Sequence, residues 1–365
     1  MKEPIRILNI VPNMRAAGIE TFIMNVYRNI DRSKVQFDFI VHNKDRNFYD
    51  DEIEKLGGKI YRLSFKDDKN ILKYIKNLND FFKIHKEYKI VHGHMQSMMP
   101  LYLYMAKKNG VPIRIAHSHN GSFEKTIKGF ILHMFSRFSK FFSTNNWACS
   151  NVAGKYLFGK TKFMTIYNGI DTEKFKYSEK IRAQKRKELN ILDENIILHV
   201  GRFEKQKNHR FLIDWFEQYI KQDNNAILLL VGEGTLLENL KAYVKKKKLN
   251  KKIKFLGIRN DIHELMQAAD IFALPSLYEG LPVVGIEAQY SNLMCMFSNK
   301  ITTELKFIEN VEFLPIKHED FRKWTKAAFK KYNRNNVKFI DEKKFDIKYI
   351  CNIITNEYER LNDEN

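Results

Sequence analysis

Cysteine is scarce in this sequence, with three residues in 365 and no C-x-x-C pair. Cys149, Cys295 and Cys351 lie far apart, so they indicate neither a disulfide framework nor a thiolate metal site, and they fit a reducing compartment. Long apolar runs are also missing: no stretch has spanning length, and the N-terminus lacks the apolar segment of a signal peptide. The sequence predicts a cytoplasmic protein that is soluble or peripheral on the inner face of the cell membrane.

Several motifs of metal and nucleic-acid chemistry are absent as well. The chain has no D-x-D, no H-E-x-x-H, no zinc-finger spacing and no RNP-type aromatic strand.

Positive charge is abundant. The chain contains 63 Lys and Arg and 43 Asp and Glu, which gives a formal net charge of +20. Such a charge favours polyanions, which include nucleic acid, anionic lipid and diphosphate substrates. Because no nucleic-acid motif accompanies the charge, we expect no nucleic-acid partner.

One stretch of the second half has the pattern strand, tight turn, helix. The apolar run of residues 270–274 predicts a buried strand, and Pro282 is predicted at the first helical position. The helix start leaves backbone N–H groups unpaired, so residues 280–284 predict a phosphate or diphosphate site. Glu279 and Glu287 flank it and could accept hydrogen bonds from sugar hydroxyls. The alternative is a capped core helix with two surface glutamates.

Two further strand ends in this half carry nucleotide-binding features. The strand of residues 196–200 leads into a loop with Arg202 and Lys207, and the strand that begins at Ile227 leads into Gly232 and Gly234. The first half also alternates strands and helices, which predicts a doubly wound parallel sheet. Its first strand, residues 5–11, precedes a loop that contains Gly18, and we expect the next helix to begin at Thr21.

Paired histidines follow two strands of the first half. His92 and His94 form one H-x-H pair, and His117 and His119 form another. Alternate strand positions share a face, so the two pairs could chelate zinc. The other interpretations are histidines whose hydrogen bonds are made by loop backbone, and histidines that contact a ligand. The absence of accompanying carboxylate motifs disfavours a hydrolytic metal site.

These motifs together resemble the retaining family 4 glycosyltransferases of bacterial exopolysaccharide and capsule synthesis, over nearly the whole chain. The resemblance implies the GT-B fold: two doubly wound α/β Rossmann-like domains that face each other across a cleft. We expect an acceptor-side domain over residues 1–171 and a donor-nucleotide-binding domain over residues 172–344. A C-terminal helix, residues 345–365, is expected to cross back to the first domain. Asn168 to Asp171 resembles the hinge of the family.

The resemblance also implies the site residues. Expected catalytic residues are His117, Glu279, Arg202 and Lys207, with His119 the second choice for the histidine that contacts the donor sugar. Expected substrate-binding residues are Gly18, His119, Asn168, Gly232, Gly234, Ile258, Gly280, Leu281, Pro282, Val283, Val284 and Glu287.

The sequence departs from the family pattern at two places. Ala17 replaces one of a usual pair of glycines, so close approach of a phosphate is expected at Gly18 rather than at residue 17. Tyr290 to Asn292 replaces a small residue, Gly and Pro, and Asn292 is expected to take the left-handed turn there.

The implied activity is transfer of a hexose from a nucleotide-sugar, expected to be a UDP-sugar, to a glycan or polyprenyl-diphosphate-linked acceptor. Retention of configuration, no metal and no cofactor beyond the donor are expected. The alternatives are a binding protein that holds a nucleotide-sugar without turnover, and a zinc-dependent hydrolase that uses the histidine pairs.

Two further stretches of the first half have patterns that allow more than one interpretation. Residues 123–142 form a predicted helical stripe of aromatic and aliphatic residues with basic flanks, either an ordinary packed helix or one that rests on an anionic membrane surface. Residues 154–161 match the P-loop pattern G-x-x-x-x-G-K-[ST]. A short helix is predicted over residues 152–158 and a strand after it, so we expect no P-loop.

Overall fold

The computed structural model describes residues 3–15, 18–64, 70–121 and 126–364. The chain forms two compact units. The first unit comprises Met1–Ile170 together with Lys344–Asn365, and the second comprises Asp171–Lys343.

The first unit contains a seven-stranded sheet in which every pairing is parallel, in the order β3-β2-β1-β4-β5-β6-β7. Parallel strands covered on both faces are buried along their whole length, and β2 is buried at every position. The strands are β1 (Ile5–Val11), β2 (Val35–Val41), β3 (Ile60–Arg62), β4 (Ile90–Gly93), β5 (Ile113–Ser118), β6 (Asn145–Ala148) and β7 (Met164–Thr165).

Helices cover both faces of this sheet. They are α1 (Gly18–Asn29), α2 (Asp50–Lys55), α3 (Ile71–Ile84), α4 (Met99–Lys108), α5 (Ile127–Ser136), α6 (Asn151–Phe158) and α14 (Ile347–Asp363), with 3-10 turns at Gln96–Met98 and Arg137–Phe141. The C-terminal helix α14 packs with α1 into the core that includes β1 and β2, through Ile350, Ile354 and Tyr358. The expected return of the last helix to the first domain is therefore confirmed.

The second unit contains a six-stranded parallel sheet in the order β10-β9-β8-β11-β12-β13. Its strands are β8 (Asn195–Val200), β9 (Ala226–Val231), β10 (Ile253–Gly257), β11 (Ile271–Leu274), β12 (Met294–Ser298) and β13 (Val311–Leu314). Its helices are α7 (Thr172–Phe175), α8 (Glu179–Glu188), α9 (His209–Tyr219), α10 (Leu237–Lys246), α11 (Ile262–Ala268), α12 (Val283–Tyr290) and α13 (Phe321–Ala328), with 3-10 turns at Lys205–Lys207, Thr303–Leu305 and His318–Asp320.

The two sheets share one topology. The strand order reverses between β1 and β4 in the first unit and between β8 and β11 in the second. Open parallel sheets bind ligands beside the carboxyl ends of the strands at such reversals. Ligand-binding residues are therefore expected in the loops after β1, β4, β8 and β11.

Some predicted boundaries are wrong. Helix α1 begins at Gly18 rather than Thr21, because Ile19 already packs against the core. The predicted helical stripe is α5 followed by a 3-10 turn, because the Ser136 hydroxyl donates to the His133 carbonyl at 2.7 Å and competes with the helical pattern there. Its first residues, 123–125, lie outside the described residues, as does Ala17.

The second unit begins with a stretch that is rich in Lys and Arg. This stretch forms helices α7 and α8, each capped by the side chain of its preceding residue, Asp171 and Ser178. Helix α10 begins at Leu237, two residues after Thr235, whose N–H and hydroxyl both donate to the Glu204 carboxylate. Asn292 has φ 54°, the expected left-handed conformation.

The P-loop pattern of residues 154–161 is part of a packed helix. Gly154 lies in α6, and a Cβ there would lie 2.2 Å from the Phe163 ring. Gly159 ends the helix with φ 64°. These glycines allow close packing and a helix end, so no phosphate-binding loop is formed.

Candidate active site

Two loops at the carboxyl edge of the second sheet are joined by hydrogen bonds. The Leu277 N–H donates to the Gln206 carbonyl at 2.8 Å, and Gln206 Nε2 donates to the Tyr278 carbonyl at 2.9 Å. Asn208, in a left-handed conformation at φ 55°, donates from Nδ2 to the Pro275 carbonyl at 3.2 Å. The loop after β8 and the loop after β11 therefore form one surface.

An ion pair lies within this surface. Lys207 Nζ is 2.6 Å from Glu279 Oε1, and their side chains are only 15% and 10% exposed. Gln206 Nε2 also donates to Glu279 Oε2 at 3.3 Å. Both charged residues were predicted as site residues, but their direct pairing was not. The pair fixes the position of a carboxylate that can still accept hydrogen bonds from a ligand.

Arg202 supplies a second cation at the same edge. It directly follows the loop residue Gly201 after β8, it is exposed, and no carboxylate pairs with it within the described ranges. Its guanidinium is therefore available to bind an anionic group.

Helix α12 begins at this edge, one residue later than predicted. Pro282 is the N-cap, with φ −71° and ψ 115°, because its extended ψ keeps it outside the helix that starts at Val283. Within the described part of the chain, no protein acceptor pairs with the N–H groups of Val283 and Val284. Unpaired N–H groups and the positive end of the helix dipole together attract a phosphate.

Glu287 lies one turn further along α12 and is half-buried. Burial raises the pKa of its carboxyl to about 7, and the nearby Lys174 acts in the opposite direction. An acid whose charge is costly in the unliganded protein gains most from ligand hydroxyl groups that donate to it.

The glycines after β9 are required by close backbone approach. Gly232 has φ 137°, and a Cβ there would lie 2.2 Å from the Gly201 carbonyl oxygen. Gly234 has φ 154°, and its Cβ would meet the Phe203 carbonyl oxygen at 2.6 Å. Ile258, which directly follows β10, is 66% exposed at the same edge. Gly280 and the buried Leu281 complete the turn before α12.

In the first unit, four histidines form a hydrogen-bonded cluster at the carboxyl ends of β4 and β5. His92 Nε2 lies 3.1 Å from His117 Nδ1, and His94 Nδ1 lies 2.9 Å from His119 Nε2. The outer partners are Tyr358, whose hydroxyl lies 2.7 Å from His92 Nδ1, and Asn9, whose Oδ1 lies 3.2 Å from His94 Nε2. Sequence reasoning missed Asn9 and Tyr358.

Burial keeps the cluster uncharged. Desolvation lowers the pKa of His92, His94 and His117 well below the usual value, and lowers that of His119 to about 3. Two ring nitrogens, His117 Nε2 and His119 Nδ1, are buried without a hydrogen-bond partner among the described residues. The ring of Phe22, from the start of α1, contacts both rings at centroid distances of 5.9 Å.

The same cluster has the spacing of a possible metal site. One ligand atom from each of His92, His94 and His117 lies within 4.8 Å of the others. Within the described residues the group contains no carboxylate, and His92 and His117 are already hydrogen-bonded to each other. A metal would have to displace that hydrogen bond.

The remaining predicted residues of the first unit lie at the same edge. Gly18 is exposed at the start of α1, and a Cβ there would have no neighbour within 4 Å. Asn168, after β7, has a buried Oδ1 without a partner among the described residues.

The surface of α5 and the 3-10 turn after it is unusually apolar. Exposed fractions are 83% for Ile127, 60% for Ile131, 52% for Phe138 and 62% for Phe141. A groove of about 430 Å³ beside it is lined by Pro100, Leu101, Tyr104, Phe135, Phe138 and Phe142. Lys128, Arg137 and Lys140 lie on the same elements. Within the described part of the chain, no helix combines the length and apolar character needed to cross a bilayer.

Both units match models of known protein families. Residues 16–174 match Glycosyltransferase Family 4, and residues 180–347 match Glycosyl transferases group 1. The fold is therefore that of a GT-B glycosyltransferase. EpsF of Bacillus subtilis, described as a glycosyltransferase, is 34% identical over 309 residues, 82% of this chain and 80% of the relative. The chain belongs to glycosyltransferase family 4.

Two further proteins are similar. The UDP-Gal:alpha-D-GlcNAc-diphosphoundecaprenol alpha-1,3-galactosyltransferase of Escherichia coli is 31% identical over 245 residues, 63% of each chain. The crystal structure of Anabaena Alr3699/HepE in complex with UDP-glucose superposes with a TM-score of 0.75 at 18% identity, covering 97% of this chain and 99% of that one.

Proposed function

We propose that this glycosyltransferase transfers a hexose from a UDP-sugar to a lipid-linked glycan acceptor during assembly of a cell-surface polysaccharide. The observation that carries the proposal is the edge of the second sheet, where Arg202, Lys207 and the start of α12 converge. A diphosphate is the ligand group that two cations and a helix N-terminus bind best. The E. coli relative is named for UDP-Gal, and the Anabaena structure is a complex with UDP-glucose. Both support a UDP-sugar as the donor of this chain.

Each residue has a role in this proposal. Arg202, Lys207 and the N–H groups of Val283 and Val284 bind the diphosphate, and stabilise its charge as the bond to the sugar breaks. Glu279, held by Lys207, accepts hydrogen bonds from donor-sugar hydroxyls, and Glu287 binds the ribose. His117 contacts the sugar. Further contacts with the substrates are proposed for Gly18, His119, Asn168, Gly232, Gly234, Ile258, Gly280, Leu281 and Pro282.

The reaction is proposed to retain the configuration of the donor and to need no metal. The acceptor hydroxyl attacks from the face that the nucleotide leaves, so the departing phosphate takes its proton and no protein base is required. Glu279 is an unsuitable base because Lys207 and Gln206 already engage its carboxylate. The cations and the helix dipole supply the positive charge that a metal supplies in D-x-D enzymes.

Incubation with UDP-galactose or UDP-glucose and GlcNAc-diphospho-undecaprenol tests the reaction. The NMR spectrum of the first product should show the anomeric configuration of the donor. An inverted product would contradict the mechanism. Binding of the donor without hydrolysis and without transfer to any glycan acceptor would favour the alternative of a non-catalytic binding protein.

The apolar surface of α5 is proposed to rest on an anionic membrane that carries the acceptor. Aromatic and aliphatic side chains flanked by cations fit the interface of anionic lipids, and the E. coli relative is named for a diphosphoundecaprenol substrate. The double variant Phe138→Ser/Phe141→Ser should bind phosphatidylglycerol vesicles less tightly. The matched control Phe329→Ser removes a 48% exposed phenylalanine from the second unit. Equal binding by both variants would contradict the assignment.

A further inference from the structure

The hydrogen-bond partners of the histidine cluster determine its tautomers. Asn9 Nδ2 lies 3.4 Å from each of two carbonyl oxygens, those of Ile7 and Asp38. Carbonyl oxygens only accept, so the amide NH₂ faces them and Oδ1 faces His94. Oδ1 also only accepts. The proton of His94 therefore lies on Nε2, which donates to Asn9 at 3.2 Å.

The orientation of Asn9 determines the tautomer of His94 and, through it, the tautomer of His119. With its proton on Nε2, neutral His94 has a lone pair on Nδ1, which accepts from His119 Nε2 at 2.9 Å. The proton of His119 is then on Nε2, and its Nδ1 has a lone pair. That Nδ1 is the buried atom without a partner among the described residues. His119 thus offers an acceptor to a ligand.

The second chain of hydrogen bonds begins at Tyr358. Its hydroxyl is buried, and His92 is its hydrogen-bond partner at 2.7 Å. If His92 donated to it, the hydroxyl proton would be buried without an acceptor, which is costly. The hydroxyl therefore donates to His92 Nδ1, and His92 Nε2 donates to His117 Nδ1 at 3.1 Å. His117 then carries its proton on Nε2, the other buried atom without a partner.

We propose that Asn9 and Tyr358 are positioning residues that hold His117 as a hydrogen-bond donor and His119 as an acceptor, so that the pair selects neutral hydroxyl groups over anionic oxygens. A hydroxyl can accept from one ring and donate to the other, whereas a phosphate oxygen cannot donate and is repelled by the His119 lone pair. The inference rests on the proposed contact between these histidines and the donor sugar. It adds to the proposed function the kind of chemical group that the first unit binds.

The tautomers can be measured without any substrate. In the full-length protein with ¹⁵N-labelled histidine, long-range ¹H–¹⁵N correlation spectra distinguish protonated from unprotonated ring nitrogens. We expect protonated Nε2 in both His117 and His119. Tyr358→Phe should mix the tautomers of His92 and His117, and Asn9→Leu should mix those of His94 and His119.

Tyr74→Phe is the matched control, because it removes a buried tyrosine hydroxyl that lies 2.5 Å from His42 Nε2. It should leave the spectra of His117 and His119 unchanged. Opposite tautomers in the wild type, or tautomers that do not respond to Tyr358→Phe and Asn9→Leu, would overturn the proposal. Uptake of one zinc ion with deprotonation of the ring nitrogens would also overturn it.

Binding of UDP and UDP-glucose separates this inference from the proposed function. Tyr358→Phe should weaken UDP-glucose about tenfold and leave UDP unchanged, because only the sugar contacts the histidines. If the tautomers are as expected but UDP-glucose binds the variant normally, the sugar contact, and with it the hydroxyl selectivity, is refuted. If wild-type protein binds neither probe, the proposed donor is wrong, whereas the spectra still decide the tautomers.

Discussion

The two units have the same strand order but opposite chemistry at the carboxyl edge. In the second unit this edge carries an ion pair, Lys207 with Glu279, and the exposed Arg202. In the first unit it carries four uncharged histidines, two of which have a buried nitrogen with no hydrogen-bond partner among the described residues. One topology therefore provides a charged site in one unit and a neutral hydrogen-bonding site in the other.

In the proposed function, the two edges bind different parts of the sugar-nucleotide. The diphosphate is an anion that needs cations and helix amides, whereas the sugar is a neutral array of hydroxyls that needs donors and acceptors in fixed positions. A protonated histidine in the first unit would attract phosphate to the wrong place. Burial prevents this by lowering the pKa of each ring.

The largest effect that tests this division is expected at Glu279. Glu279→Gln keeps the shape but removes the charge that sugar hydroxyls donate to, so kcat should fall about 100-fold. Affinity for UDP should stay the same or rise slightly, because Lys207 loses its counter-charge. Kinetics and calorimetry with UDP measure both quantities. Glu238→Gln, at an exposed carboxylate paired with Lys241, is the control. A large loss of UDP affinity would assign Glu279 to the nucleotide instead.

Arg202 tests the charged site directly. Arg202→Ala should weaken UDP about tenfold through loss of a charge-assisted hydrogen bond, and the loss should shrink at high salt. Arg210→Ala removes an arginine that lies over the Tyr243 ring instead, and should change UDP affinity little. Similar affinities for the two variants would remove Arg202 from the site.

Glu287 gives a smaller, pH-dependent effect. Its folded pKa, about 7, is above the ordinary value of 4.5, so between these values the folded state holds a proton that the unfolded state loses. The stability contributed by Glu287 therefore falls as pH rises through this window. Relative to wild type, Glu287→Gln should gain about 1 kcal/mol in the free energy of unfolding between about pH 4 and about pH 8. It should also bind UDP more weakly.

Urea unfolding at the two pH values measures this gain. Glu309→Gln, at an exposed glutamate of the same unit, should show none. A difference from wild type that is constant with pH would contradict a raised pKa at Glu287.

Removal of metal should have no effect at all. EDTA is expected to leave turnover unchanged, because the cations and the start of α12 replace a metal in the proposed mechanism. Loss of activity that one divalent metal restores would instead assign catalysis to a metal held by His92, His94 and His117.

Much of this comparison could be predicted from the sequence, because apolar runs identify buried strands. Strand β1 has the predicted bounds, and parallel strands that end at one edge bring their following loops together. The pairing of Lys207 with Glu279 could not be predicted, because they are 72 residues apart and two loops must meet to join them.

The histidine tautomers could not be predicted from the sequence either. They depend on Asn9, 85 residues from His94, and on Tyr358, 266 residues from His92. Neither residue belongs to a motif, and the sequence pattern indicates only that Tyr358 is on a helix. The direction of a hydrogen bond is decided by the partner at its far end, which local sequence does not contain.

The most direct test of this contrast substitutes one residue at each edge and measures how the binding of two ligands changes. Calorimetry would measure binding of UDP and of UDP-glucose to Lys207→Ala and to His117→Ala. We predict that Lys207→Ala weakens both ligands by a similar factor, because both contain the diphosphate. His117→Ala should weaken UDP-glucose and leave UDP unchanged. Equal losses for both ligands in His117→Ala, or a loss confined to UDP-glucose in Lys207→Ala, would contradict the account.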